Sequence, residues 1–260
     1  MIILIFDIEC AILTRIFCSF YEKGANMKEK IYTIPINEAL DVDCSCPFCF
    51  LEKKLEDEAI DYILGPAMME PDFRMFTNEK GFCKTHIKKL IEKRNALSLA
   101  LIMDTHIAEI SSLFELRDNK KSMFKKKNTK HPFVTALAHV ASECAVCWRV
   151  NHTLDRYFHT FIFMLKSEEG FLEKVLSKNG FCFEHFAKLA EVAVAELSDK
   201  KIEKYFDPII RLQENKTLEY HEYIRKFADS FDYRNAGKKM DIPQNILTKT
   251  AKLLNGEIGN

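Results

Sequence analysis

The chain has 260 residues, 47% of them hydrophobic and 29% charged, with eight glycines and seven prolines. That excludes disordered and collagen-like classes and describes a globular protein leaning towards helix. Thirty-eight basic residues balance thirty-eight acidic ones, so no global field draws the molecule onto nucleic acid or an anionic membrane. Nine cysteines behind no clear secretory leader point to metal binding or redox chemistry in a reducing, cytoplasmic setting rather than to a disulfide scaffold.

In chain order, Met1 to Phe20 is apolar but carries Asp7, Glu9 and Arg15 and lacks a basic leader and a small-residue cleavage site. It is a poor signal peptide, and charges at the centre of a membrane span are costly. Residues 1–26 read better as leader sequence, with the protein beginning at Met27: Lys23-Gly24-Ala25 can be encoded by a purine-rich run resembling a bacterial ribosome-binding site. The run from Ile31 to Ile36 reads as extended, limited by Pro35 to an edge or loop. Phe50 to Leu64 predicts a helix stopped by Gly65-Pro66, Pro71 to Glu79 a returning helix closed by Lys80-Gly81, and His86 to Leu116 a long helix. Ile87, Leu90, Ile91, Leu97, Leu101 and Ile102 mark the buried stripe of that last helix.

A basic stretch follows over 117–131. Trp148 to Leu165 then predicts a helix with Val150, Leu154, Tyr157, Phe158, Phe161, Ile162 and Leu165 on one face and Arg149, His152, Arg156 and His159 on another. A shorter helix from Phe171 ends at Asn179-Gly180, and another runs from His185 to about Leu197. Beyond Ile202, helices are expected near Thr217 to Ser230 and from Pro243, at a favoured first-turn position, to Leu254.

Self-comparison exposes a duplication. Cys46-Pro-Phe-Cys49 leads to Gly81-Phe-Cys83-Lys-Thr-His86, and Cys144-Ala-Val-Cys147 leads to Gly180-Phe-Cys182-Phe-Glu-His185. The inner spacings, 34 positions from Cys49 to Cys83 and 35 from Cys147 to Cys182, match too closely for unrelated cysteines. The chain thus divides into a first repeat at 27–116, a linker at 117–131, a second repeat at 132–198 and a C-terminal helical extension at 199–260. The fold class is all-α, with two tandem helical repeats.

Residues at i and i+3 in a helix's first turn share a side, and a helix N-terminus favours thiolate. Two such turns supply three sulfurs and one nitrogen, the closed tetrahedral set of structural zinc. The expected ligands are Cys46, Cys49, Cys83 and His86 for one ion, and Cys144, Cys147, Cys182 and His185 for a second, each ion closing its own repeat. Cys44 stands outside both sets. Phe82, Phe181 and Trp148 are expected to be core residues shielding the sulfurs.

Cys-Pro-Phe-Cys, the paired Gly-Phe-Cys-x-x-His motifs and Phe231-Asp-Tyr-Arg-Asn235 resemble a family of uncharacterised proteins from Gram-positive bacteria, catalogued only as a domain of unknown function. The resemblance spans about Met27 to Gly256, family members similarly begin near the equivalent of Met27, and it implies no activity.

The first functional expectation is a non-catalytic zinc-stabilised scaffold or adaptor that binds a protein partner and no membrane. A thiol redox sensor is an alternative, though no βαβ pattern suggests a thioredoxin. Nucleic-acid binding would use Arg117, Lys120, Lys121, Lys125, Lys126, Lys127 and Lys130, which otherwise form a solvated linker. A zinc hydrolase or deaminase is the weakest reading. Four ligands fill each site, Glu184 is replaced by Thr85 in the first copy, and neither HExxH nor the HxE deaminase element occurs.

Overall fold

A helix over residues 32–41 opens the part of the chain that the computed structural model describes, residues 32–115, 132–235 and 241–257. This first helix, α1, replaces the extended run expected there. Ile36, Ala39 and Leu40 recur at helical spacing and are buried. There follow α2 (Pro47–Leu64), a 3₁₀ turn (Pro66–Met69), α3 (Pro71–Lys80), α4 (Lys84–Glu92), α5 (Ala96–Leu113), α6 (Pro132–Ser142), α7 (Ala145–Ser167), α8 (Phe171–Leu176) and α9 (Phe183–Glu196). A short turn, α10 (Asp199–Lys201), passes through a π-helical stretch (Ile202–Phe206) into α11 (Asp207–Asp229), and α12 (Ile246–Asn255) ends the described chain. No strand occurs among the described residues, so the all-α expectation holds.

The long helix expected from His86 to Leu116 is two helices. Arg94 takes a left-handed conformation (φ 57°), and the Asn95 side chain does two jobs that end one helix and begin the next. Its Oδ1 accepts from Ser98 N at 3.4 Å as an N-cap, and its Nδ2 donates to Leu64 O at 2.9 Å, satisfying an open carbonyl at the end of α2. The break rotates the apolar stripe, so that Leu90 and Ile102 are buried while Ile91 and Leu97 are exposed. Nor does Pro243 start the last helix: Asn245, at φ 58°, precedes the first residue, Ile246. All seven apolar positions read along α7 are buried.

The described residues fall into two compact units, those up to Leu51 together with those from Asp155 onward, and those from Glu52 to Leu154. Both boundaries fall inside a helix, one in α2 and one in α7, so the units do not coincide with the sequence repeats. In the first, Phe48 stacks on Phe158 (centroids 4.2 Å), with Phe161, Phe171 and Phe181 completing an aromatic core. In the second, Ala59, Ile60, Ile63 and Leu64 of α2 pack with Leu90, Ile102, Val146 and Val150.

Candidate metal centres

All four motif pairs begin a helix in the same way. Cys46, Cys83, Cys144 and Cys182 immediately precede α2, α4, α7 and α9, and their carbonyls accept from Phe50, Ile87, Trp148 and Phe186 at 3.3, 2.9, 2.9 and 2.9 Å. The second member of each pair, Cys49, His86, Cys147 or His185, lies one turn on. The pair therefore points two donors the same way from a helix N-terminus, where the open N–H groups favour negative sulfur.

The glycine before each Phe-Cys sets the approach of the chain. Gly81 and Gly180 have φ of 58° and 83°. A Cβ would also lie 2.9 Å from His106 Nε2 at Gly81 and 2.9 Å from Gln213 Oε1 at Gly180.

The eight expected ligands do gather into two groups of four, but the grouping is exchanged. Cys46 and Cys49 of the first copy meet Cys182 and His185 of the second, in the unit that joins the described residues up to Leu51 with those from Asp155 onward. Cys83 and His86 meet Cys144 and Cys147 in the unit Glu52–Leu154. The expectation that each copy closes on its own ion is thereby corrected. α2 and α7 each start in one unit and continue in the other, so each carries its CxxC away from the CxxH of its own copy. We call the group at Cys46, Cys49, Cys182 and His185 centre 1 and the other centre 2.

The donor atoms fit a tetrahedral ion. With zinc–sulfur bonds of about 2.3 Å and zinc–nitrogen bonds of about 2.05 Å, the edges of the tetrahedron are about 3.8 Å between sulfurs and about 3.6 Å between sulfur and nitrogen. In centre 1, Nδ1 of His185 lies 3.6, 3.4 and 3.2 Å from the sulfurs of Cys46, Cys49 and Cys182, and Cys49 and Cys182 are 3.6 Å apart. In centre 2, Nδ1 of His86 lies 3.2, 3.3 and 3.2 Å from Cys83, Cys144 and Cys147, and Cys83 and Cys147 are 3.9 Å apart. None of the described cysteines is in a disulfide.

The surroundings match this use. In centre 2, Nε2 of His86 meets Glu56 Oε1 at 2.9 Å, and Lys89 donates to both Glu56 oxygens at 2.6 and 2.5 Å. A carboxylate behind the ligating imidazole fixes its tautomer and orientation, as at many zinc sites. Burial tends to raise the Glu56 carboxyl, but Lys89 and then His86 hold it below its ordinary range.

The sulfurs and imidazoles act on one another as acid–base pairs. Burial pulls the His86 imidazole down, yet the hydrogen bond and charge of Cys144, with Cys83 and Glu56, push it up to about 9. Burial likewise raises Cys144, but His86 and backbone N–H groups bring it to about 6, while burial and the neighbouring Cys144 push Cys147 up to about 12. In centre 1, hydrogen bonds from Cys46 and Cys49 draw the Cys182 thiol far down, burial drives Cys46 well up, and His185 rises to about 10 because Cys182 and Cys49 outweigh its desolvation.

The other expected features fall out as follows. Phe181 is buried beside centre 1 and Phe82 is partly buried in the core around centre 2. Trp148 does not shield the sulfurs. It is 45% exposed, stacked on His152 (4.8 Å, 15°) with Phe76 against its edge. The other cations of the α7 stripe are also engaged: Arg149 lies over the Tyr62 ring at 4.5 Å, Arg156 donates to Tyr32 Oη at 2.7 Å, and His159 meets Glu196. Cys44 is half-buried, its sulfur 3.8 Å from Ala39 O, and belongs to neither group. Thr85 and Glu184 are both exposed. Arg117, Lys120, Lys121, Lys125, Lys126, Lys127 and Lys130 lie outside the described residues, as do residues 1–26.

Sequence reasoning missed Glu56, Gln213 and Gly256. Gln213 on α11 brackets Phe181, its Oε1 accepting from Phe181 N at 3.0 Å and its Nε2 donating to Phe181 O at 2.9 Å. Gly256, just beyond α12, approaches centre 1 so closely that a Cβ there would lie 3.3 Å from the sulfur of Cys49 and 3.6 Å from that of Cys182.

A family model described as a family of unknown function, DUF6062, matches residues 27–260. The chain belongs to that family. No curated protein and no solved structure matches it. Membership thus accords with the duplicated cysteine motifs and brings no reaction with it.

Proposed function

We propose that the chain is a zinc-bound, non-catalytic helical scaffold of the bacterial cytoplasm, whose work is to present its surface to a protein partner. The observation that carries this reading is the pair of three-sulfur, one-nitrogen quartets with edges close to those of a zinc tetrahedron. Cys46, Cys49, Cys182 and His185 would hold one ion, and Cys83, His86, Cys144 and Cys147 the other. Bound there, zinc supplies cross-linking of helix starts rather than Lewis acidity, because four protein donors leave no position for water or substrate. Elemental analysis of the purified chain tests it: about two zinc equivalents per chain are expected, and an iron-loaded chain, or one that takes up no metal, overturns it.

A second reading, a thiol sensor that releases its ion on oxidation, draws support from the partial exposure of Cys83 and Cys147 in centre 2, against full burial of all four donors in centre 1. Peroxide accepting two electrons from these two thiolates would be reduced to two hydroxides while their sulfurs join. Zinc release from centre 2 under mild peroxide, reversed by dithiol, is the expected result, and retention of both ions refutes it.

A further inference from the structure

Two sides of centre 1 are closed by different means. Beside the imidazole lie core rings: Phe48 and Phe158 have centroids 5.9 and 6.0 Å from that of His185 and are 1 and 2% exposed. Those rings move only when the core of the unit opens. Across the edge between Cys49 and Cys182, whose sulfurs are 3.6 Å apart, lies a backbone strap instead, Gly256–Glu257. A Cβ on Gly256 would meet these two sulfurs at 3.3 and 3.6 Å, so the strap covers both at once. Gly256 is buried, and at φ 79° it takes a turn that a residue with a side chain rarely adopts.

What holds the strap is at the surface. Glu257 is exposed; its Oε1 accepts from the hydroxyl of Ser45, also exposed, at 2.9 Å, and its Oε2 meets Lys252 Nζ at 2.6 Å. Ser45 immediately precedes Cys46, so this latch joins the end of α12 to the first CxxC turn. Helix α12 is anchored independently, with Ile246 and Leu253 buried and the helix packed on α9 and α11. The strap can therefore lift while α12 stays in place. Lifting breaks the two Glu257 contacts, and neither Gly256 nor Glu257 has an apolar side chain to withdraw. Openings of that kind cost far less than global unfolding.

We infer that the Gly256–Glu257 strap is the gate of centre 1, and that the latch of Ser45 and Lys252 on Glu257 sets how often a reagent reaches the Cys49 and Cys182 sulfurs. Centre 2, with Cys83 and Cys147 partly exposed, needs no such opening. An ion at centre 1 then exchanges on the timescale of the strap, because a competing ligand must reach that edge before a bond to sulfur is given up. This consequence for the ion rests on the zinc reading proposed above, whereas the gate itself concerns access to two sulfurs.

Site-resolved alkylation of the full chain as purified, by N-ethylmaleimide with peptide mass spectrometry, tests it. In the wild type, Cys83 and Cys147 should label ahead of Cys49 and Cys182. Glu257→Ala and Ser45→Ala should each speed labelling of Cys49 and Cys182 by about three- to tenfold and leave Cys83 and Cys147 unchanged. The faster rate should not vary with sub-denaturing urea, since lifting a short strap exposes little surface. Unchanged labelling of Cys49 and Cys182 in both variants overturns the inference. So does equal acceleration at Cys83 and Cys147, or a rate that climbs with urea, which would report unfolding of the unit. Metal content of the same samples separates the two claims: a chain without zinc defeats the scaffold reading, while the labelling pattern still decides the gate.

Discussion

Centre 1 and centre 2 start from the same four-residue devices and are finished by different neighbours. In centre 2 the CxxH loop is tied directly to the CxxC helix, Ala145 N donating to Gly81 O at 2.9 Å. The residue equivalent to Ala145 in centre 1 is Pro47, which has no N–H to give. There Gln213 of α11 holds the loop through the Phe181 backbone, and the chain after α12 lies over the sulfurs, anchored by Ser45 and Lys252 on Glu257 at 2.9 and 2.6 Å. All four donors of centre 1 are consequently buried, whereas Cys83 and Cys147 of centre 2 keep partial access to solvent. A duplicated motif therefore specifies which atoms converge, while the segments outside the duplication decide how deeply each centre is buried.

The comparison breaks first on the pairing itself. Cys46→Ser combined with Cys182→Ser removes two donors from centre 1 and none from centre 2. Elemental analysis should find about one ion lost per chain, and melting should show loss of the unit that contains centre 1. Structural zinc is worth roughly 10 to 16 kcal/mol in small peptides, as much as a whole domain's stability. Cys49→Ser with Cys83→Ser should instead cost both ions. The reverse pattern would restore pairing within each copy.

Proton release gives the next effect. At neutral pH, His86 at about 9 and Cys147 at about 12 carry protons, and Cys144 at about 6 has mostly lost its own. Ligation needs all of them deprotonated, so uptake at centre 2 between about pH 6 and 9 expels the protons of His86 and Cys147, and these two groups alone should make apparent affinity climb about a hundredfold per pH unit. Acidification reverses this, and chelator competition at several pH values measures it. A flat profile would mean that His86 and Cys147 carry no protons at neutral pH.

Glu56→Gln should weaken centre 2 by about 10- to 100-fold and leave centre 1 unchanged, since the carboxylate behind His86 belongs to one centre alone. Chelator titration resolving the two ions checks this, and equal weakening of both would deny Glu56 its positioning role. The smallest effect is expected at Gly256. Alanine there places a methyl against the sulfurs of Cys49 and Cys182, costing about 1 to 3 kcal/mol through overpacking, visible as a lower melting temperature for centre 1 with ion content retained.

Much of the fold was legible because its signals are local. The buried face of α7, the stop at Gly65-Pro66 and the glycines before each Phe-Cys follow from periodicity and backbone sterics within a few residues. The break at Arg94 was not legible, since neither Gly nor Pro marks it and its cause, the reach of Asn95 to the α2 carboxyl end, spans 31 positions. Trp148 was read as core from its neighbourhood in the chain, but the helix turns it outward. Glu56 and Gln213 carry no motif, and only contacts at 30 and 32 positions' separation reveal them.

By itself the sequence determined the eight donors, their chemistry and the helix starts that aim them, because each pair lies within one turn and needs nothing distant. Which pair meets which was decided only in three dimensions. Either pairing satisfies the spacing, and the two helices α2 and α7, each beginning in one unit and ending in the other, leave each cysteine pair in a different unit from the histidine that follows it.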